Sequence, residues 1–196
     1  MKLKTPLSEE DVRSLKAGDT VTISGIIYTG RDEMHQRALE YAREGRRLPF
    51  DLQGAAIFHA GPIVRKEGGG WKVVAAGPTT SSRLDPLEPE FIERFGVRAI
   101  IGKGGMSQQT VEAMQRHGCV YLAMTGGAAV LGAEGIVEVK DVEWLDLGMP
   151  EAFWALEVRG FGPLTVGIDA HGHSLYAKVR EEVQENLPRV RGMLGL

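Results

Sequence analysis

The chain has 196 residues, of which 43% are hydrophobic and 25% charged, and its formal net charge is −3. The negative charge argues against nucleic-acid binding, and no apolar run reaches the roughly 18 residues that a membrane helix needs. We therefore expect a single domain spanning 1–196 that binds neither nucleic acid nor a membrane.

Hydrophobic patterns predict strands and helices that alternate along the chain. Ser8, with Asp11 three residues later, is typical of a capping box at the start of a short helix. Glycines 68–70 predict the turn of a hairpin over 63–76. Strands are predicted at 20–28, 55–59, 71–76, 98–101, 119–124, 135–146 and 164–168. Helices are predicted at 31–44, 88–95, 107–117, from 126, briefly from Pro150, and at 174–187.

This order of elements predicts an α/β fold with a partly parallel sheet. Ligands of such folds bind at the carboxyl ends of the strands. Three glycine-bearing polar loops are expected there, at 29–32, 77–83 and 102–105, and each carries one cation: Arg31, Arg83 and Lys103, respectively. Converging cations would bind a dicarboxylate or a phosphate ester, whereas separate ones would be solvated loop residues, and the spacing alone leaves both interpretations open.

The remaining polar residues give weaker signals. From the pattern alone, the hydroxyls of Thr79–Ser82 are more typical of helix capping than of catalysis. His171 and His173 could hold a metal with Asp169, but such a turn is more often structural, so no metal site is predicted. His59 lies in an apolar strand and is interpreted as a core histidine.

Cysteine usage limits the chemistry that the chain can perform alone. The one cysteine, Cys119, excludes a disulfide within the chain. It also excludes a self-contained cysteine-ligated metal centre, which needs about three or four thiolates or histidines. These features predict a protein of the reducing cytoplasm.

The same loops resemble the C-terminal domain of class I fumarases, a family that includes the β subunits of two-subunit fumarases and L-tartrate dehydratases. The similarity covers about residues 18–180. The matching segments, in the family's order, are SGIIYTGRD at 24–32 followed by His35, GP at 61–62, GPTT at 77–80 with Arg83, GKGGM at 102–106, GGAA at 126–129, LGMPEA at 147–152 and DAHG at 169–172.

The resemblance implies a swivelling β/β/α fold of three layers and an obligate α subunit that holds a [4Fe-4S] cluster through three cysteines. The chain would then be the β subunit of a hetero-oligomeric hydro-lyase and bind no cofactor alone. The expected reaction is the reversible dehydration of (S)-malate to fumarate, a step of the tricarboxylic acid cycle.

The resemblance also implies roles for individual residues. Arg31, Arg83 and Lys103 match the ligands of the substrate carboxylates, and Thr79 matches the catalytic base. Thr80, in the same loop, is expected to contact the substrate and is the alternative base. Other possibilities are a subunit of L-tartrate dehydratase or mesaconate hydratase, a carboxylate-binding module without catalysis, and a purely structural subunit.

Overall fold

The computed structural model describes residues 1–195, apart from the side chain of residue 131, as nine strands and six α-helices. The strands are β1 (Lys2–Lys4), β2 (Thr20–Thr29), β3 (Ala56–Phe58), β4 (Ile63–Glu67), β5 (Gly70–Ala75), β6 (Ala99–Gly102), β7 (Val120–Ala123), β8 (Ile136–Glu143) and β9 (Phe153–Ile168). The helices are α1 (Glu9–Arg13), α2 (Asp32–Arg43), α3 (Glu88–Phe95), α4 (Gln108–His117), α5 (Ala129–Glu134) and α6 (Leu175–Leu194).

Seven strands form one sheet in the order β1-β2-β3-β6-β7-β9-β8, and β2 also pairs with β9. This additional pairing closes β2, β3, β6, β7 and β9 into a ring. Strands β1, β2, β3, β6 and β7 pair in parallel, whereas β9 runs antiparallel to β2, β7 and β8. The predicted α/β fold with a partly parallel sheet is confirmed, and the β4–β5 hairpin forms as expected.

Alternating side chains divide the interior into two hydrophobic cores, because successive residues of a strand point to opposite faces. Phe58, Ile101 and Leu122 belong to a core built mainly by the strands. Their neighbours Ile57 and Ile100 belong to a second core, which α2, α3 and α4 cover. These helices therefore lie on one face of the parallel strands.

The chain after residue 150 differs from the prediction. The short helix predicted from Pro150 is wrong, and the strand predicted at 164–168 is only the end of β9, which has 16 residues. Residues 153–156 are buried in succession, so they show neither the alternation of a half-buried strand nor the period of a surface helix. Helix α6 continues past Pro188 to Leu194, beyond the predicted end at 187.

No helix within the described residues is long and apolar enough to cross a bilayer.

The end of β6 has no room for a side chain at Gly102. A Cβ atom at Gly102 would lie 1.9 Å from Oγ of Ser81 and 3.1 Å from the hydroxyl of Tyr121, both in the interior. We expect Gly102→Ala to cost about 1–3 kcal/mol and to lower Tm by roughly 3–10 °C in thermal unfolding. Gly192→Ala is the control, because a Cβ in that part of α6 meets no atom within 4 Å. An unchanged Tm for Gly102→Ala would contradict this packing.

Candidate functional site

The loop at 77–83 is attached to the main sheet by backbone hydrogen bonds. It follows β5, which belongs to the separate β4–β5 hairpin. The prediction that this loop follows a strand of the parallel sheet is therefore wrong. Instead, the amide of Thr79 donates to the carbonyl of His59 at 2.6 Å, and the amide of Ser81 donates to the carbonyl of Lys103 at 3.0 Å. Thr80 and Lys103 form a parallel β-bridge. These bonds bring the 77–83 loop to the carboxyl ends of β3 and β6.

Arg31 and Arg83 both have acidic partners around the start of α2. Nη2 of Arg83 donates to Oδ2 of Asp32 at 2.7 Å, although half of the Arg83 side chain remains exposed. Nε of Arg31 lies 3.0 Å from Oε1 of Glu151. A Cβ atom at Gly61 would lie 2.9 Å from Nη1 of Arg31, so only glycine leaves space for the guanidinium there. The loops that carry the two arginines therefore meet.

Lys103 differs from the two arginines in its electrostatic surroundings. Among residues 1–195, its ammonium group has no carboxylate within 4.0 Å. Its side chain passes over Gly126, where a Cβ atom would lie 3.3 Å from Cδ and 3.6 Å from Nζ. Within the described part of the chain, no neighbouring side chain therefore neutralises the charge of Lys103, and glycine at 126 provides room beside it.

The hydroxyls of Thr79 and Thr80 do not cap a helix. A 3₁₀ helix spans Ser81–Arg83, and Thr80 at its N-cap makes no side-chain capping bond. Helix α3 is preceded by Leu87 and also lacks a side-chain cap. The capping interpretation from the sequence pattern is wrong, and Thr80 lies in the β-bridge beside Lys103.

A buried polar cluster lies behind these loops. His35, His59 and Glu88 are each completely inaccessible to solvent. One side-chain nitrogen or oxygen atom of each lies within 4.8 Å of the other two. Oε2 of Glu88 is 3.1 Å from Nε2 of His59 and 3.4 Å from Nε2 of His35. Sequence reasoning identified His59 as buried but missed its acidic partner, because Glu88 resembles an ordinary acidic residue in the first turn of a helix.

The ionisation of the cluster follows from burial and from the neighbouring charges. Burial would raise the pKa of Glu88, but the fields of His59 and His35 outweigh it and lower that pKa to about 2. Burial lowers the pKa of His59, although Glu88 opposes this effect. Glu88 is therefore a carboxylate near pH 7, and burial disfavours a charge on His59.

A comparison with protein families identifies the chain. The sequence model of the fumarase C-terminus matches residues 1–179. The chain belongs to the fumarase C-terminus family. The match ends within α6, so it includes every loop described above.

Relatives with similar sequences carry two kinds of name within this family. A protein of Methanocaldococcus jannaschii named "Putative L(+)-tartrate dehydratase subunit beta" is 46% identical over 95% of this chain and 96% of its own length. The "L(+)-tartrate dehydratase subunit beta" of Escherichia coli K12 is 46% identical over 90% of this chain and 86% of its own. A "Putative fumarate hydratase class I" of Geobacillus stearothermophilus is 44% identical over 96% of this chain but only 36% of its own length.

The DAHG motif has a structural role, as the sequence suggested. The carboxylate of Asp169 accepts hydrogen bonds from the amides of His171, His173 and Ala17. Burial opposes ionisation of Asp169, but these amides keep its pKa below the usual range. The turn fixes the chain between β9 and α6, and its histidines contact the carbonyl of Arg13 and the carboxylate of Asp169.

Proposed function

We propose that this chain is the β subunit of a two-subunit class I [4Fe-4S] fumarate hydratase, which dehydrates (S)-malate reversibly to fumarate. One observation carries the proposal: the loops of the three cations meet around Thr79 and Thr80, whose hydroxyls cap neither the 3₁₀ helix nor α3. A β subunit of L-tartrate dehydratase is the second candidate, because two relatives of similar length carry that name.

The three cations suit a substrate with two carboxylates. An arginine fork binds a carboxylate through two parallel hydrogen bonds, while lysine provides a point charge. Asp32 accepts a hydrogen bond from Arg83, and Glu151 forms an ion pair with Arg31, so both guanidinium groups have acidic partners before substrate arrives. Since Lys103 has no acidic partner within the described residues, its attraction for an incoming anion is the least compensated of the three.

The same cations favour removal of a proton from C3 of malate. As C3 loses its proton, negative charge moves into the adjacent C4 carboxylate. Fixed cations stabilise that charge more in the transition state than in the ground state. In this proposal Arg31, Arg83 and Lys103 bind the carboxylates.

Thr79 is the proposed base of this reaction. A threonine hydroxyl is a weak base, so it needs positive charge nearby to lower the cost of forming an alkoxide. Its backbone is fixed by the short bond to the carbonyl of His59, while its hydroxyl remains partly exposed. Thr80 contacts the substrate from the same loop and is the alternative base.

The residues of this chain do not fit the iron–sulfur cluster. Cluster ligation requires several cysteine thiolates, and the one cysteine, Cys119, is completely buried. Burial raises the pKa of its thiol well above the usual value, so it is neither accessible nor ionised. The proposal therefore assigns the cluster, and the cysteines that hold it, to the α subunit.

Co-expression with the α subunit tests the proposed function. After anaerobic reconstitution of the cluster, we expect the complex to convert (S)-malate with a higher kcat/KM than L-tartrate, citramalate or mesaconate. The isolated chain should be colourless and inactive. A preference for L-tartrate would establish the second candidate. An inactive complex whose β subunit still binds dicarboxylates alone would contradict both and indicate a non-catalytic module.

A further inference from the structure

The hydrogen-bonding requirements of the buried cluster determine where its protons are. Nδ1 of His35 lies 2.8 Å from the carbonyl oxygen of Arg31. A carbonyl can only accept, so Nδ1 of His35 carries a proton. A neutral His35 would then present the lone pair of its Nε2 to the carboxylate of Glu88, 3.4 Å away, which is repulsive. A second proton on Nε2 removes this repulsion.

The negative charge of Glu88 also requires a proton on Nε2 of His35. Neither carboxylate oxygen has an aligned hydrogen-bond donor among the described residues, so close positive charge is what can stabilise it. An uncompensated buried carboxylate costs several kcal/mol. His59 can face Glu88 with a proton on Nε2 and remain neutral, because Oγ of Ser81 can donate to its Nδ1, so His35 is the group that supplies the charge. Tyr121 donates to Oγ of Ser81, which in turn contacts Nδ1 of His59, so this side of the cluster consists of neutral groups.

The cluster contacts the proposed site at two points. The ring of His35 contacts the carbonyl of Arg31, and the ring of His59 contacts the hydroxyl of Ser81. The amide of Thr79 donates to the main-chain carbonyl of His59. Both histidines meet at the single carboxylate of Glu88. A proton within this cluster therefore acts directly on the carbonyl of Arg31 and, through Ser81, on the loop that carries Thr79.

We propose that Glu88 and His35 form a buried carboxylate–imidazolium pair that positions Arg31 and the Thr79 loop for the reaction. This inference rests on the proposed function for its catalytic part. Glu88 and His35 are positioning residues, because neither reaches the loop surface where substrate would bind.

Other ionisable groups that face the cluster do not supply the charge instead. Asp32, at the start of α2, is negative but bound to Arg83. Burial raises the pKa of Tyr121 and of Cys119 on the adjacent β7, so both are neutral at physiological pH. Loss of the His35 proton would thus leave a net negative charge behind the proposed carboxylate site. Binding of a dicarboxylate should weaken when that happens.

The variant Glu88→Gln tests the pair, with Glu90→Gln as the control. Glu90 is on the same helix but is partly exposed and pairs with Arg43 and Arg94. Nitrogen-15 NMR of the full chain should show both nitrogens of His35 protonated at neutral pH in the wild type and in Glu90→Gln. In Glu88→Gln, which removes the counter-charge, the second proton should be lost at lower pH.

The same variants in the active complex test the catalytic part. For Glu88→Gln, we expect the fall of kcat/KM at alkaline pH to begin at a pH lower by about one unit or more. We also expect KM to increase by a larger factor than kcat decreases. Glu90→Gln should keep the wild-type profile. A merely structural role would lower the amount of folded complex without moving the pH profile.

Three results would overturn the inference. The first is a neutral His35 in the wild type, which is measurable even if Glu88→Gln fails to fold. The second is one equivalent of a transition metal that survives dialysis against chelator and is lost in Glu88→Gln, because a metal ion would then supply the charge. The third is an unmoved pH profile. If instead the imidazolium is found but the complex turns over no hydroxy-dicarboxylate, the pair stands and the proposed function fails.

Discussion

Replacing Thr79 by valine in the assembled complex is expected to lower kcat by about 10²–10⁴-fold, the usual contribution of a positioned general base. Valine has the shape of threonine without its hydroxyl, and the amide at position 79 can still donate to the carbonyl of His59. KM should therefore change by less than about threefold, since the carboxylate ligands remain in place. Steady-state kinetics and exchange of the C3 proton of malate with deuterated solvent measure both effects.

Thr80→Val is the matched control for this experiment. Thr80 is in the same loop and its hydroxyl makes no capping bond, but its backbone forms the β-bridge with Lys103. We expect it to weaken substrate binding while proton exchange continues. If exchange persists in Thr79→Val and disappears in Thr80→Val, the assignment of the base to Thr79 is wrong.

Replacing Arg31 by methionine is expected to lower kcat/KM by about 10²–10³-fold, as for the loss of one preorganised contact to transition-state charge. Methionine keeps much of the apolar length of the side chain but removes the fork that binds a carboxylate. Glu151 loses its partner at the same time, which adds negative charge beside the site. Kinetics of the complex with malate, together with Tm of the variant, separate lost catalysis from lost folding.

Arg43→Met controls for the loss of an arginine at the opposite end of α2, which Arg31 precedes. Arg43 is at the other end of α2, more than half exposed, and pairs with Glu90. Its replacement should leave kcat/KM unchanged, because exposed ion pairs contribute little and this one is far along the helix from the loops. Equal losses in both variants would show that the effect of Arg31→Met is not specific to the site.

Much of the fold could be predicted from the sequence because most elements carry strong local signals. The capping box of Ser8 and Asp11 forms as predicted, and α3 has the predicted bounds 88–95. The errors lie where tertiary structure overrides local pattern. Residues 153–168 form one long strand because they pair with β2, β7 and β8, which are distant in sequence, and no short window of sequence contains that information.

The candidate site was partly predictable for a similar reason. Glycine-rich loops with cations, together with the family resemblance, predicted Arg31, Arg83 and Lys103 as candidate ligands. The convergence of their loops depends on bonds between residues far apart in sequence, such as Thr79 with His59 and Ser81 with Lys103. The buried pair of His35 and Glu88 could not be found, since a glutamate in the first turn of a helix is usually solvated.

The division of labour between two chains is the central claim, and a titration measures it most directly. A fixed amount of cluster-loaded α subunit is mixed anaerobically with increasing amounts of this chain, and fumarate formation from (S)-malate is followed by ultraviolet absorbance. We predict no turnover by either chain alone and a rate that rises with added β subunit and saturates at one β per α. Full activity of the α subunit alone, or turnover by this chain alone, would contradict the account.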